Sequence, residues 1–97
     1  MGKPASRVGD SHGGHGCFPP TNAVRGSPNV KINGVPALRV GDPFVVHCCP
    51  KNGCHTPAMA TGSATVNING LPAARIGDMT GCTATVISGS SNVFIGG

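Results

Sequence analysis

Apolar and polar residues alternate over short runs along this chain and never settle into a helical period. Val30 and Ile32 flank Lys31, and Val66 and Ile68 flank Asn67, so each stretch has one apolar face and one polar face, as a strand with period two requires. Near the C-terminus the matching stretch reads Val93, Phe94, Ile95. The first two stretches run into Asn33-Gly34 and Asn69-Gly70, the dipeptide that a type I′ turn favours because both central residues need positive φ. Beyond each turn Pro36 or Pro72 withholds a backbone donor, which places it at a strand start or an exposed edge. The return strand passes through Arg39-Val40 or Arg75-Ile76 to a Gly-Asp pair. Gly and Pro interrupt every window long enough for a helix, so the chain is predicted to be all-β.

These hairpins are copies of one unit. Gly26 to Asp42, GSPNVKINGVPALRVGD, recurs as Gly62 to Asp78, GSATVNINGLPAARIGD. A third copy begins at Gly89, GSSNVFIGG, and breaks off at Gly97; its other half stands at the opposite end as Lys3 to Asp10, KPASRVGD. Two half-units can satisfy their backbone groups only by pairing with each other. The expectation is a single domain over residues 1–97, with units 26–42, 62–78, and 89–97 plus 2–10. Three pseudo-threefold-related β-hairpins would form it, the third completed by the N- and C-terminal strands.

Composition narrows the means of stabilisation. With 97 residues, Gly 16, Pro 9, three Phe and no Trp or Tyr, a large aromatic core is excluded, and a chain this short calls for a metal, a crosslink or a partner. The net charge of +4 resembles a nucleic-acid signal until its distribution is considered. Asp10, Asp42 and Asp78 each end a unit, with Arg7, Arg39 and Arg75 three residues before them. These charges cancel within the motif as ion pairs or turn caps, leaving Lys3, Arg25, Lys31 and Lys51 scattered and without aromatic stacking partners, so no nucleic-acid partner is expected.

The N-terminus MGKPASRVGD has no apolar signal core, and no apolar run approaches the ~18 residues of a membrane helix. The chain is therefore expected to be made in the cytoplasm and not exported by a conventional signal. In that compartment five cysteines point to metal binding or free thiols before disulfides. Cys17, Cys48, Cys49 and Cys54 are able to pair if the protein meets an oxidising exterior.

Three linkers join the units, Ser11 to Arg25, Pro43 to Thr61 and Met79 to Ser88, and every histidine and cysteine lies in them. Each linker leaves a Gly-Asp end and meets a Gly-Ser start, so all three should converge at one end, opposite the Asn-Gly turns. Repeat phase selects the ligands. His15 and His47 each lie five residues after their aspartate, and His55 and Cys82 each lie seven before the next unit's glycine. His12 competes with His15 for the first-linker position through the flexible HGGH spacing. Three imidazoles and one thiolate suit a single tetrahedral Zn²⁺, and four protein ligands leave no open position, which makes the site structural. Ferrous iron accepts the same donors, but availability and geometry favour zinc.

An enzyme is not expected. The chain has no glutamate for a metal-assisted base, and its aspartates sit in equivalent positions instead of forming an acid-base pair. A thiol nucleophile at Cys48, Cys49 or Cys54 would need histidines that ligation takes away. No Gly-rich loop precedes a Lys-Ser or Lys-Thr pair for phosphate.

The units also carry a resemblance. Pro72-Ala73-Ala74-Arg75, with Pro36-Ala37-Leu38-Arg39 and Pro4-Ala5-Ser6-Arg7 as variants, each precedes Val or Ile and Gly-Asp. With the Gly-Ser starts and the terminal NVFIGG, this closely resembles the proline-alanine-alanine-arginine (PAAR) repeat proteins over essentially the whole chain. The resemblance implies a conical all-β protein with zinc near its apex, bound by three histidines and one cysteine, which matches His15, His47, His55 and Cys82. It further implies a tip that caps and sharpens the trimeric valine-glycine-repeat spike of type VI secretion systems, one tip per trimer, with relatives on phage tails. Effector proteins and a transient contact with the target membrane are the other implied partners. Such a tip is assembled in the cytoplasm and secreted by the apparatus itself. No separate effector domain is expected in 97 residues. The rival reading is a small zinc-dependent module that binds nucleic acid or protein.

Overall fold

The computed structural model describes residues 2–97, and among these there is no helix. Eight short strands follow in order: β1 (Lys3–Pro4), β2 (Lys31–Ile32), β3 (Val35–Pro36), β4 (His47–Cys49), β5 (Gly53–His55), β6 (Asn67–Ile68), β7 (Leu71–Pro72) and β8 (Phe94–Ile95). They pair antiparallel as β2-β3, β6-β7, β4-β5 and β1-β8. In the first two hairpins Ile32 faces Val35 and Ile68 faces Leu71. In the third, Ile95 faces Lys3, so the chain's two ends complete the split unit in the register of the intact copies.

Local chemistry accounts for these hairpins. Asn33 and Asn69 both take φ 55, followed by Gly34 and Gly70 at φ 78, the paired positive angles of a type I′ turn. At the unit start the serine hydroxyl accepts from the backbone three residues on: Val30 N–H to Ser27 Oγ (2.8 Å), Val66 to Ser63 (2.9 Å) and Val93 to Ser90 (2.9 Å). The glycine before each serine is required by space. A Cβ at Gly62 or Gly89 would lie 2.7 Å from the carbonyl oxygen of Ala73 or Ala5.

The units close into a ring through their backbones. Leu38 N–H donates to Ser6 O, Ala74 N–H to Leu38 O, and Ser6 N–H to Ala74 O, each at 3.0 Å. Around this cycle, Val8, Val40 and Ile76 donate to Pro36, Pro72 and Pro4, all at 2.9 Å. The core follows the same symmetry. One layer holds Ala5, Ala37 and Ala73 with Ile32, Ile68 and Ile95. The next holds Leu38 and Ala74 with Ala23, Met59, Val86 and Phe44. Beyond these, Phe44 packs on His12 and His12 on His47, so the histidines lie at the end of the stack away from the hairpin core. The molecule measures 39 × 25 × 23 Å, and among the described residues no helix is long and apolar enough to cross a membrane.

Each unit's arginine and aspartate form an ion pair, at 3.0, 2.9 and 3.0 Å for Arg7–Asp10, Arg39–Asp42 and Arg75–Asp78. The same carboxylates accept from the arginine's own backbone N–H. The arginine also reaches the neighbouring unit, because Arg7 Nη1 donates to Asn33 Oδ1 and Arg39 Nη1 to Asn69 Oδ1. Ser90 and Ser27 hydroxyls donate to those same oxygens. At the chain break the Gly96 carbonyl replaces the asparagine side chain, accepting from Arg75 Nη1 (3.0 Å) and Ser63 Oγ (2.6 Å).

Each turn asparagine is fastened sideways to the next unit by the bonds just described. The longest linker is not a loop throughout. It folds into the additional hairpin β4-β5, which turns at residues 50–52, with Gly53 at the start of β5 at φ 80.

Candidate metal centre

The β4-β5 register sets His47 opposite His55, Cys48 opposite Cys54, and Cys49 opposite Gly53. Because side chains alternate across a strand, His47, His55 and Cys49 share one face and Cys48 and Cys54 take the other. Burial agrees: His47 and Cys49 are buried, whereas Cys48 and Cys54 are exposed. The first linker adds His15 on a tight turn closed by His15 N–H to Phe18 O (3.1 Å) and Phe18 N–H to His15 O (2.8 Å). The shortest linker adds Cys82.

The ligating atoms of His15, His47, His55 and Cys82 lie within 4.8 Å of one another. The three imidazoles meet through Nε2, at 3.3 Å for His15 to His47, 3.2 Å for His15 to His55 and 2.6 Å for His47 to His55. His47 Nδ1 is 2.9 Å from the carbonyl oxygen of Pro19. A carbonyl only accepts, so Nδ1 carries the proton and Nε2 offers a lone pair to the cluster. Three mutually facing ring nitrogens cannot all be satisfied by imidazole protons, whereas one cation satisfies all three as donors. Two imidazoles on one tetrahedral Zn²⁺, with Zn–N of about 2.05 Å, stand roughly 3.3 Å apart, the spacing found for two of the three pairs. The residues therefore fit a metal ion. Bound there, a metal would crosslink three loops and polarise its ligands.

His12 is not part of this group. It is fully buried, its Nδ1 accepts from Gly14 N–H (2.8 Å), and its Nε2 pairs with Thr21 Oγ1 (2.8 Å). Burial first, and then His47, His15 and His55, pull its pKa down to about 4. It is a neutral core histidine that shapes the loop leading to His15. Partial desolvation, followed by His47 and His15, also lowers the pKa of His55, which favours the neutral imidazole that a metal needs.

The other cysteines correct an expectation. The sequence points to free or metal-bound thiols ahead of disulfides, but Cys17 pairs with Cys49 and Cys48 with Cys54, leaving Cys82 as the free thiol among the described residues. The register explains both pairs. Cys48 and Cys54 face each other with Cα atoms 4.0 Å apart, and Cys49 turns toward the His15 loop, where Cys17 lies 5.5 Å away between Cα atoms. Three further residues at the site carry little signal in the sequence. The Phe18 ring packs on His15, His47 and His55, with centroids 4.8, 4.8 and 4.4 Å away. Pro19 supplies the carbonyl that orients His47, and Thr80 places its hydroxyl 3.1 Å from Cys82 Sγ. A lone Phe beside Pro-Pro and a threonine two residues before a ligand were the only signals.

Fold and cluster together define a class: small all-β chains in which one polypeptide builds a pseudo-threefold stack of hairpins ending in a three-histidine, one-cysteine group able to hold a metal ion. The PAAR motif model matches residues 1–45 and 13–88, and the chain belongs to that family. Comparison with curated proteins finds no match.

Proposed function

We propose that this protein is the structural tip of a type VI secretion apparatus, seated singly on the blunt end of the trimeric valine-glycine-repeat spike. One Zn²⁺ held by His15, His47, His55 and Cys82 braces its opposite end. The observation that carries the reading is the closed cycle of hydrogen bonds among Ser6, Leu38 and Ala74, by which one chain acquires the threefold symmetry that a homotrimer's end presents. Phe94, Leu71 and Val30 on the hairpins are exposed at 57%, 39% and 37% and supply apolar contact area for that junction. Membership in the PAAR motif family supports the same role.

In this reading the protein performs no catalysis. It sharpens the spike, aids puncture of the target membrane and helps carry effectors, after assembly in the cytoplasm and export by the apparatus. Zinc is favoured because three neutral imidazoles and a thiolate in a closed four-donor set match its preference. Size-exclusion chromatography of a mixture with the cognate spike trimer is expected to show one tip per trimer, and a tip that ignores the trimer yet binds DNA would overturn the proposal. Elemental analysis should find about one zinc per chain. Cys82→Ala and His47→Ser should each lower that content and the melting temperature, and unchanged zinc in both variants would refute the ligand set.

A further inference from the structure

The residue two positions after each unit's aspartate is buried in all three units, yet the three side chains differ: His12, Phe44 and Thr80 are 0%, 1% and 3% exposed. His12 and Phe44 fill their places with rings that meet edge to face at 5.0 Å. Thr80 is the small member of the set, and a valine would fill the same volume. Its hydroxyl therefore calls for its own account.

Thr80 closes the loop that carries Cys82. Its N–H donates to Ala84 O at 2.8 Å, and its carbonyl accepts from Thr83 N–H at 3.0 Å. The Thr80 hydroxyl oxygen also accepts from Ala84 N–H at 3.1 Å and lies 3.1 Å from Cys82 Sγ. A hydroxyl has one proton and two acceptor lone pairs. Ala84 N–H occupies a lone pair, which leaves the proton for sulfur, and a thiolate can only accept it. Within the loop Thr83 sits at φ 70, a region that β-branched residues avoid, so contacts and not local preference hold this turn. The Thr83 hydroxyl contributes one such contact, donating to the Cys82 carbonyl.

We propose that Thr80 is a positioning residue of the metal centre, a hydroxyl donor that aims the Cys82 thiolate at the three imidazoles and moderates its charge. The inference rests on the metal-binding reading above. Outer partners of this kind typically change metal affinity about 10- to 100-fold. Cys82 comes from a turn with Thr83 at positive φ, unlike His47 and His55 on their paired strands, so its orientation depends on such a partner.

The test uses the full chain and Co²⁺, whose sulfur-to-metal charge-transfer band reports on the thiolate. Thr80→Val should weaken Co²⁺ and Zn²⁺ binding about 10- to 100-fold and shift the band to lower energy, while Thr80→Ser should restore both. In a Cys82→Ala background, Thr80→Val should cause no further loss of affinity. An equal loss with and without Cys82, or an unmoved band, would show that Thr80 only supports the loop and would overturn the inference. Wild-type protein gives an independent readout should the valine variant misfold. Loaded with Zn²⁺, it should show a slowly exchanging Thr80 hydroxyl proton close to the Cys82 β-protons in NMR, and a freely exchanging hydroxyl would refute the proposal. If the native chain takes up neither metal, the metal reading fails as well. If it shows the sulfur band but ignores Thr80→Val, the inference alone fails.

Discussion

His12 and Ser6 are both fully buried polar side chains, and their different treatment shows how an approximate symmetry tolerates exceptions. His12 stands where the other units have Phe44 and Thr80, and both its ring nitrogens are engaged, by Gly14 and Thr21. Thr21 in turn donates to Val45 O at 2.8 Å, so burial leaves none of these groups unpaired. Ser6 stands where the others have Leu38 and Ala74, all three fully buried. Its hydroxyl is the one buried side-chain polar atom among the described residues without a partner. An unpaired buried hydroxyl costs about 1–3 kcal/mol, and alanine already fits the equivalent place at Ala74. Ser6→Ala is therefore expected to stabilise the protein by about 1 kcal/mol, the small void left behind offsetting part of the gain. Urea unfolding of the metal-loaded protein checks this, and a loss of stability would mean that the hydroxyl does bond in solution.

Among the elements, the β4-β5 hairpin carries the most chemistry and was the least legible in the sequence. The repeated hairpins could be read because alternation and Asn-Gly turn chemistry are local, and the grouping of His15, His47, His55 and Cys82 because repeat phase carries a position from one linker to another. Asn52-Gly53 repeats the turn dipeptide, but the inward side chains beside it are His47, Cys49 and His55, which give no apolar alternation. Disulfide partners depend on register, which spacing alone does not supply. Cys17–Cys49 and Cys48–Cys54 fasten this hairpin to the first linker and to itself, and a metal held by His47 and His55 would fasten it a second time. Loop-closure arguments assign about 3–4 kcal/mol to the longer bridge and about 2 kcal/mol to the shorter. A chelator alone or dithiothreitol alone is accordingly expected to leave residues 47–55 protected from amide exchange, and both together to expose them while the hairpin ring stays protected. Exposure by chelator alone, with the disulfides intact, would show that the metal is the sole fastening.

At the scale of the molecule, the pairing of Ile95 with Lys3 repeats that of Ile32 with Val35 and Ile68 with Leu71, so the ring treats the chain break as a third turn that happens to be open. Gly96 preserves the belt of contacts there by offering its carbonyl to Ser63 and Arg75 in place of an asparagine side chain. If position around the ring matters more than order along the chain, the break should be movable. Joining Gly97 directly to Lys3 places Gly96 and Gly97 at the two centres of a type I′ turn, which glycine adopts without steric cost. Opening the chain between Asn69 and Gly70 then transfers the break to the equivalent turn while Asn69 keeps its contacts with Ser27 and Arg39. This permuted chain is expected to fold, to bind metal as the parent does, and to match its unfolding free energy within about 1 kcal/mol, since no core contact is lost. A second permutant opened between Ala37 and Leu38 should be far less stable, because it cuts the ring where Leu38 N–H donates to Ser6 O. Urea unfolding and metal content of the two distinguish a ring from a chain that merely repeats: equal damage in both would show that the native break has a role the other turns cannot take over.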